Sequence, residues 1–440
     1  MVSPVGKGAT GDSTLHIAAA LDHGHVVEAL LKRGANPEVM DSEGRTPLWV
    51  AVEHGRLPAV KALLAAGADI GTRSTADDLT VLDLAAGGGD GHMLRAVLRH
   101  GADVNSSDSR GCTALHRAAL NNQAGAIDVL VEAGAIIDAP DRAGRTALHS
   151  ASAEGSSDAV VALLGHGADQ HALDNMDGGR GRSPLHLAAG SGHLIAAATL
   201  VAARADVGLR YGDNEISALD SAAMSGYLAV VEVIIPHVLD INAAATDGRT
   251  VLHRAAFFNQ ARAIDVLVGA GADLEARDNG YAWMPVHDAS CEGSSDAIVT
   301  LLGHGAHVEV RDNGGWTPLH AAAIEGSSDA VRALLRHGVD PGALDGEGRA
   351  PLHLAAEHGH IYAAEALLAA GADAGLRDAS PHEYSPFDLA AVRGRVGVMA
   401  SIVKHGVDVN AADSRGCTAL QRAASAEKTQ AMHVLVEAGA

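Results

Sequence analysis

An all-α solenoid of stacked helix-turn-helix units with hairpin-like fingers is the fold this sequence predicts, and three observations carry it. A tetrad of hydroxyl, small or proline, apolar and polar residue recurs from Ser13, Thr46, Thr80, Thr113, Thr146, Ser183, Ser217, Thr250, Met284, Thr317, Ala350, Ser385 and Thr418. Of its twelve spacings seven are 33 residues, three are 34 and the others are 35 and 37, the signature of a stacked array. A glycine stands nineteen residues after the tetrad's apolar member in eleven of the thirteen units. The composition agrees, because 47% of the residues are hydrophobic but only 2% aromatic, which suits short, closely packed helices better than one thick core.

The unit at Thr317 shows each element in turn. Thr317 supplies a capping hydroxyl, Pro318 fits the first helical position, and Leu319 with Ala322 gives a narrow apolar face, so a first helix starts there. Gly326 ends it. A second helix carries Val331, Leu334 and Leu335 and runs to Gly338, placed for a left-handed C-terminal cap. Arg204 and Val238 replace this glycine in two units, and there a distorted helix end is expected. A turn-rich segment such as Val104 to Cys112, VNSSDSRGC, then reads as a finger leading into the next unit.

TPLHAAAIEG and LLRHGVD in this unit resemble the ankyrin repeat, and the resemblance covers residues 13–440. It implies paired antiparallel helices, projecting fingers and a curved solenoid whose concave side, lined by fingers and first helices, binds proteins. It also implies a structural role for the tetrad histidines, in hydrogen bonds between turns. The expected organisation is a leader, 1–12, and a single array of thirteen repeats, 13–440, the last lacking its finger and cap. Departures are local: Trp49, Asp83, Asp220, Asp388 and Gln421 replace the tetrad histidine, and Met284 and Ala350 lack the hydroxyl. All five length irregularities fall in fingers, where they leave the stacking undisturbed. Units with the tetrad aspartate are each followed by one reading Arg-Ala-Ala, so the array is built from duplicated blocks of about four repeats.

With 54 acidic against 32 basic residues the formal charge is -22, which repels a phosphate backbone and excludes nucleic-acid binding. Cys112, Cys291 and Cys417 are too few and too scattered for disulfides or a zinc module, so a reducing, cytoplasmic or nuclear setting is expected. The N-terminal MVSPVGKGATGD lacks the apolar segment of a signal peptide. Ser183 to Ala203 carries no formal charge but falls in phase with the repeat, so it reads as helix, turn, helix and no membrane insertion is expected. A monomer is expected.

Recognition positions vary where scaffold positions stay apolar. After the alanine pair, Leu120-Asn121 of one unit becomes Phe257-Phe258 and then Ser425-Ala426 in its copies, and the resemblance puts these at the exposed end of the first helix. The residue before each tetrad forms a second row, Asp12, Arg45, Leu79, Cys112, Arg145, Arg182, Ile216, Arg249, Trp283, Trp316, Arg349, Tyr384 and Cys417. Arginine and aromatic residues are enriched at binding hot spots. The alternative is that the arginines neutralise acids of the same fingers, such as Asp41, Asp141, Asp247 and Asp345. Of eleven aromatic residues, Phe257, Phe258, Tyr281, Trp283 and Trp316 lie within sixty consecutive residues. These, with Ile324, Arg249 and Arg349, form the expected protein-binding surface, with Trp283 and Trp316 side by side. Phe257 and Phe258 have the alternative of sealing the neighbouring helix.

Catalysis finds no support. Eight of the 25 histidines occupy the tetrad, and Glu357-His358-Gly359-His360 lacks the spacing of a zinc-protease helix. Ser156, Ser294 and Ser327, each followed by Ser-Asp, read as N-caps of second helices. Gly87-Gly88-Gly89 lacks the following Lys-Ser or Lys-Thr of a phosphate loop, and Asp174 to Gly179, DNMDGG, lacks the ligands of a calcium loop. Arg110 and Arg415 would lower the pKa of Cys112 and Cys417, but without a paired base these are passive thiols. No cofactor or metal is expected. The expected function is a non-catalytic scaffold for a protein partner; the alternative is the targeting portion of a larger enzyme or channel. Leaving Met432, Val434 and Leu435 partly uncovered, the array ends in a way that implies either a fraying last unit or a continuing natural product.

Overall fold

A computed structural model describes residues 13–21, 23–75, 78–175 and 181–440, so the leader and Asp12 lie outside the described residues, as does most of the DNMDGG finger. The chain divides at 218/219 into two compact units. The first holds six helix pairs from Thr14–Ala20 to Leu194–Ala202 among its described residues, and the second seven, from Ala218–Ser225 to Thr429–Glu437. Within the first unit each first helix packs on the next first helix and each second on the next second; in the second unit the first helices do so from Val251–Phe257 to Ala419–Ser425. Alanine pairs such as Ala255-Ala256 and Ala322-Ala323 are fully buried and let the helices close on leucines such as Leu252, Leu319 and Leu334. Each such leucine contributes about 1.5–3 kcal/mol by burial.

The tetrad histidine joins one repeat to the next. His320 is fully buried, and its Nδ1 accepts the Thr317 N–H at 3.1 Å. That fixes the ring proton on Nε2, which donates to the Arg349 carbonyl at 3.0 Å. The Thr317 hydroxyl, 2.9 Å from Nδ1, therefore donates to the ring instead of capping the helix backbone as the sequence suggested. In Met284 and Ala350 only that hydroxyl bond is missing, because both backbone N–H groups still reach their histidines, at 3.2 and 3.0 Å. Where aspartate replaces histidine the hydroxyl accepts from the helix N–H, as Thr80 does from Asp83 at 3.2 Å.

Two of the three tetrad aspartates, Asp220 and Asp388, are one half of a paired change. Asp220 lies 3.6 Å from Arg254 and Asp388 lies 3.5 Å from Arg422, each arginine belonging to the Arg-Ala-Ala unit that follows. Carboxylate and guanidinium thus replace the histidine link, and the block duplication has a physical content.

Only one finger forms a strand pair among the described residues, Arg210–Tyr211 with Ile216–Ser217. Most of the others are built on an aspartate whose Oδ1 accepts two backbone N–H groups, as Asp345 does from Glu347 and Arg349 at 2.9 and 2.8 Å. Neighbouring fingers are tied by backbone bonds, from Asn279 to Asp247, Asn313 to Tyr281, Gly346 to Gly314 and Ala379 to Glu347.

Ser156 and Ser294 stand at N-cap positions, but their hydroxyls donate backward to the carbonyls of Leu120 and Phe257 at 3.0 and 2.9 Å. The helices are capped from the preceding repeat, where Asn122 and Asn259 accept the N–H of Ala159 and Ala297 at 3.0 and 2.9 Å.

The two helix ends without glycine differ. Before Val238 the helix stops at Ile234 and a 3-10 turn, Ile235–His237, follows, which is the expected distortion. Arg204 causes none: its helix runs its full nine residues and Arg204 takes the glycine conformation at φ 64°. A left-handed conformation costs a non-glycine residue about 1–2 kcal/mol. Since the Arg204 side chain is exposed, Arg204→Gly is expected to stabilise the first unit by about 0.5–1 kcal/mol in urea denaturation. In the last pair Leu435 is fully buried, against expectation, while Val436 is 61% exposed.

Candidate protein-binding surface

The row before the tetrad is held at both backbone ends. Trp316 donates its N–H to Asp312 Oδ1 at 2.8 Å, and its carbonyl accepts from His287 Nε2 at 3.2 Å. Trp283 is fixed in the same way by Asp278 and His253, at 2.9 and 3.1 Å. Side chains in this row therefore project from an ordered backbone, which lowers the entropy lost on binding.

Trp283 and Trp316 do not stack on each other. Each lies over the histidine of its own repeat, at 6.1 Å from His287 and 6.5 Å from His320. Asp312 connects them: its Oδ2 accepts the Trp283 indole N–H at 2.9 Å while its Oδ1 holds the Trp316 backbone. Both tryptophans are half-buried. Tyr281 packs against Trp283 at 5.9 Å between ring centroids and is 67% exposed.

Phe257 and Phe258 form a second group, 5.1 Å apart, with Phe258 45% exposed. Half-buried Phe257 lies under the Arg249 guanidinium at 5.9 Å, and Arg249 also pairs with the buried Asp288 at 2.7 Å. Burial pushes the Asp288 carboxyl up to about 7, against the pull of Arg249. Arg349 binds its own finger's Asp345 at 2.9 Å, which is the neutralising role weighed for these arginines, and Arg45 does the same with Asp41 at 2.8 Å. Arg145 instead reaches Asp174 of the next finger at 3.7 Å. Half-buried Ile324 contributes its carbonyl to His360 at 2.8 Å and joins neither aromatic group through a ring contact.

The thiols differ from the sequence reading. Burial, then Asp108 and Asp141, raise Cys112 above its ordinary range despite Arg110, and burial pushes Cys291 up to about 11. His358 and His360 both bond to backbone carbonyls, of Leu354 and Ile324. No helix of the described residues is long and apolar enough to cross a membrane.

Sequence reasoning missed Asp312, whose role depends on a contact 29 residues away. It also missed exposed apolar residues on second helices, Ile195 at 64% and Tyr362 at 68%. Aligning the units shows the signal, since that column elsewhere holds residues such as Asp158, Asp296, Asp329 and Gln430.

Comparison with known proteins places these features in one family. Part of the chain is 37% identical over 116 residues to a transient receptor potential cation channel subfamily A member 1 homolog of Caenorhabditis elegans, covering 26% of this chain and 9% of the channel. It is 25% identical over 302 residues to the E3 ubiquitin-protein ligase KEG of Arabidopsis thaliana, covering 66% and 16%. Over 122 residues it is 36% identical to the human neurogenic locus notch homolog protein 1, covering 28% and 5%. The chain thus spans less than a third of the length of each. Models of ankyrin repeats match residues 3–74, 82–174, 136–211, 162–245, 185–278, 286–378 and 387–436. With those matches laid over the stacked helix pairs and the histidine links between them, the chain belongs to the ankyrin-repeat family.

Proposed function

We propose that this protein is a non-catalytic interaction scaffold that receives partner proteins on its fingers and first helices, centred on Tyr281, Trp283 and Trp316. Phe257, Phe258, Ile324, Arg249 and Arg349 flank that centre. One observation carries the reading: Tyr281, 67% exposed, packs beside Trp283 on a finger whose backbone is fixed at both ends. A rigid, solvent-facing aromatic pair combines apolar area with low ordering cost, the character of a binding hot spot.

Because Tyr281 and Phe258 are exposed, replacing both by serine leaves the core intact. Tyr281→Ser with Phe258→Ser is expected to lower partner capture in a pull-down by about tenfold or more while the thermal transition stays nearly in place. Ile195→Ser and Tyr362→Ser, on second helices, are the controls and are expected to leave capture unchanged. Full capture by the Tyr281/Phe258 variant would refute the assignment.

A second reading is favoured by the relatives, which carry such repeats inside much longer polypeptides. There the same surface serves as the targeting portion of an enzyme or channel. The sequence of the full-length transcript separates the two.

A further inference from the structure

The column that holds Leu120, Phe257 and Ile324 at the ends of first helices holds Gly87 in the third repeat, followed by Gly88. Without side chains there, a groove of about 460 Å³ opens among the ends of the helices Pro47–Glu53, Val81–Gly88 and Ala114–Leu120. Leu79, Leu84 and Leu120 give it apolar walls, Glu53 and Asp90 add acids to its lining, and Arg117 adds one base.

Asp83 also lines this groove, although the residue is only 2% exposed. Its Oδ2 accepts the N–H and the hydroxyl of Thr80, both at 2.8 Å. Its Oδ1 is buried and has no hydrogen-bond partner. Two cations stand near, Arg73 and the groove-lining Arg117, and both send their terminal NH groups elsewhere, although the Arg117 Nε is itself buried without a partner. Arg117 pairs with Asp108 at 2.7 Å, and Arg73, 4.0 Å from the already bonded Oδ2, donates to the carbonyls of Asp78 and Ser107 at 2.6 Å each. A buried carboxylate oxygen without a donor costs free energy that an incoming cationic donor recovers. Burial raises the Asp83 pKa, against the pull of the Thr80 hydrogen bonds and of Arg73 and Arg117.

We propose that this groove binds a lysine or arginine side chain of a partner polypeptide, its charge on Asp83 and its flanking aliphatic residues over Gly87 and Gly88. An acidic side chain meets Asp83, Glu53 and Asp90 and is rejected. A neutral aliphatic one fills the walls but leaves the carboxylate oxygen unpaired. The site belongs to the first unit and the aromatic surface to the second, and it stands or falls independently of that surface.

The test is amide NMR on the full chain titrated with acetyl-Leu-Arg-Leu-amide, and with the same peptide carrying glutamate or norleucine in place of arginine. The arginine peptide is expected to shift Gly87, Gly88 and Leu120 saturably at millimolar concentration, with the other two weaker by about tenfold or more. Asp83→Asn keeps an acceptor for Thr80 but removes the charge, and is expected to weaken the arginine peptide about tenfold or more. Gly88→Leu is expected to abolish the shifts by filling the groove. The fold accommodates it, because a Cβ at Gly88 meets nothing within 4 Å. Equal response to the glutamate or norleucine peptide, no shift at Gly87 and Gly88, or unaltered affinity in either variant would overturn the proposal.

Discussion

Acidification from about pH 7 to about pH 4 is expected to unfold this protein, and the tetrad histidines are the reason. Burial, as the largest cause, takes His186, His253 and His287 from the ordinary 6.5 down to about 4, and it lowers His116, His149, His320 and His353 as well. In each ring Nδ1 already accepts a backbone N–H, so a proton there meets a donor. An unfolded histidine takes its proton near 6.5, whereas the folded one resists until about 4. Across that window the unfolded chain binds more protons, so stability falls as pH falls and is fully present above 6.5. Each of the three contributes a loss of about 3 kcal/mol. Asp288 runs the other way: its carboxyl, pushed up to about 7, takes up a proton before the unfolded one does and offsets about one histidine. The sum remains destabilising. Circular dichroism during acid titration is expected to lose its helical signal between pH 6.5 and 4. Gln421 holds the Thr418 N–H through Oε1 at 2.9 Å, so changing His186, His253 and His287 to glutamine keeps the cap and is expected to move the midpoint to lower pH. An unmoved midpoint would rule out the histidines as the cause.

The second large effect is expected at Asp388 and Arg422. Arg422 is 8% exposed, lies over the Tyr384 ring at 4.4 Å and pairs with both Asp388 and Asp413. Asp388 is 2% exposed and also accepts from Arg377 at 3.0 Å. Removing one member of a buried pair costs about 3–5 kcal/mol, because the other charge is left without its counter-ion. Asp388→His and Arg422→Leu are each expected to lower stability by about 3 kcal/mol in guanidinium denaturation. The double variant reproduces the arrangement of His320 with Leu354 two repeats earlier, and its loss is expected to fall short of the summed singles by about 2 kcal/mol or more. Strict additivity would show that the paired change carries no energetic link.

How far these features are legible in the sequence depends on their range. The helices, their glycine ends and the stacking order follow from a period of about 33 residues and from local rules at Thr317, Gly326 and Gly338. Arg204 misled that reading, because arginine there takes the left-handed conformation that glycine takes in other units, whereas Val238 at the equivalent position stays extended. Contacts between repeats were hidden for another reason. Asp312 meets Trp283, Asn259 meets Ala297 and Arg422 meets Asp388 across 29, 38 and 34 residues, and no local propensity records such pairs. The Asp-then-Arg alternation was visible as duplication, but its charge pairing needed geometry. The aromatic group was located in sequence as a cluster; its division into Tyr281–Trp283 and Phe257–Phe258 was not, because the choice of stacking partner is made by the fixed finger backbone.

The direction of helix capping also bears on how the chain is made. Asn122 and Asn259 each supply the N-terminal acceptor for a helix more than thirty residues further on, and Ser156 and Ser294 reach back to carbonyls of the repeat already behind them. A ribosome works from the N-terminus, so every such helix emerges from the exit tunnel with its cap already waiting on a completed surface. Refolding from denaturant has no such order, and any helix is free to form before its cap exists. For these two helices synthesis supplies the cap before the helix, an order that dilution out of urea does not impose.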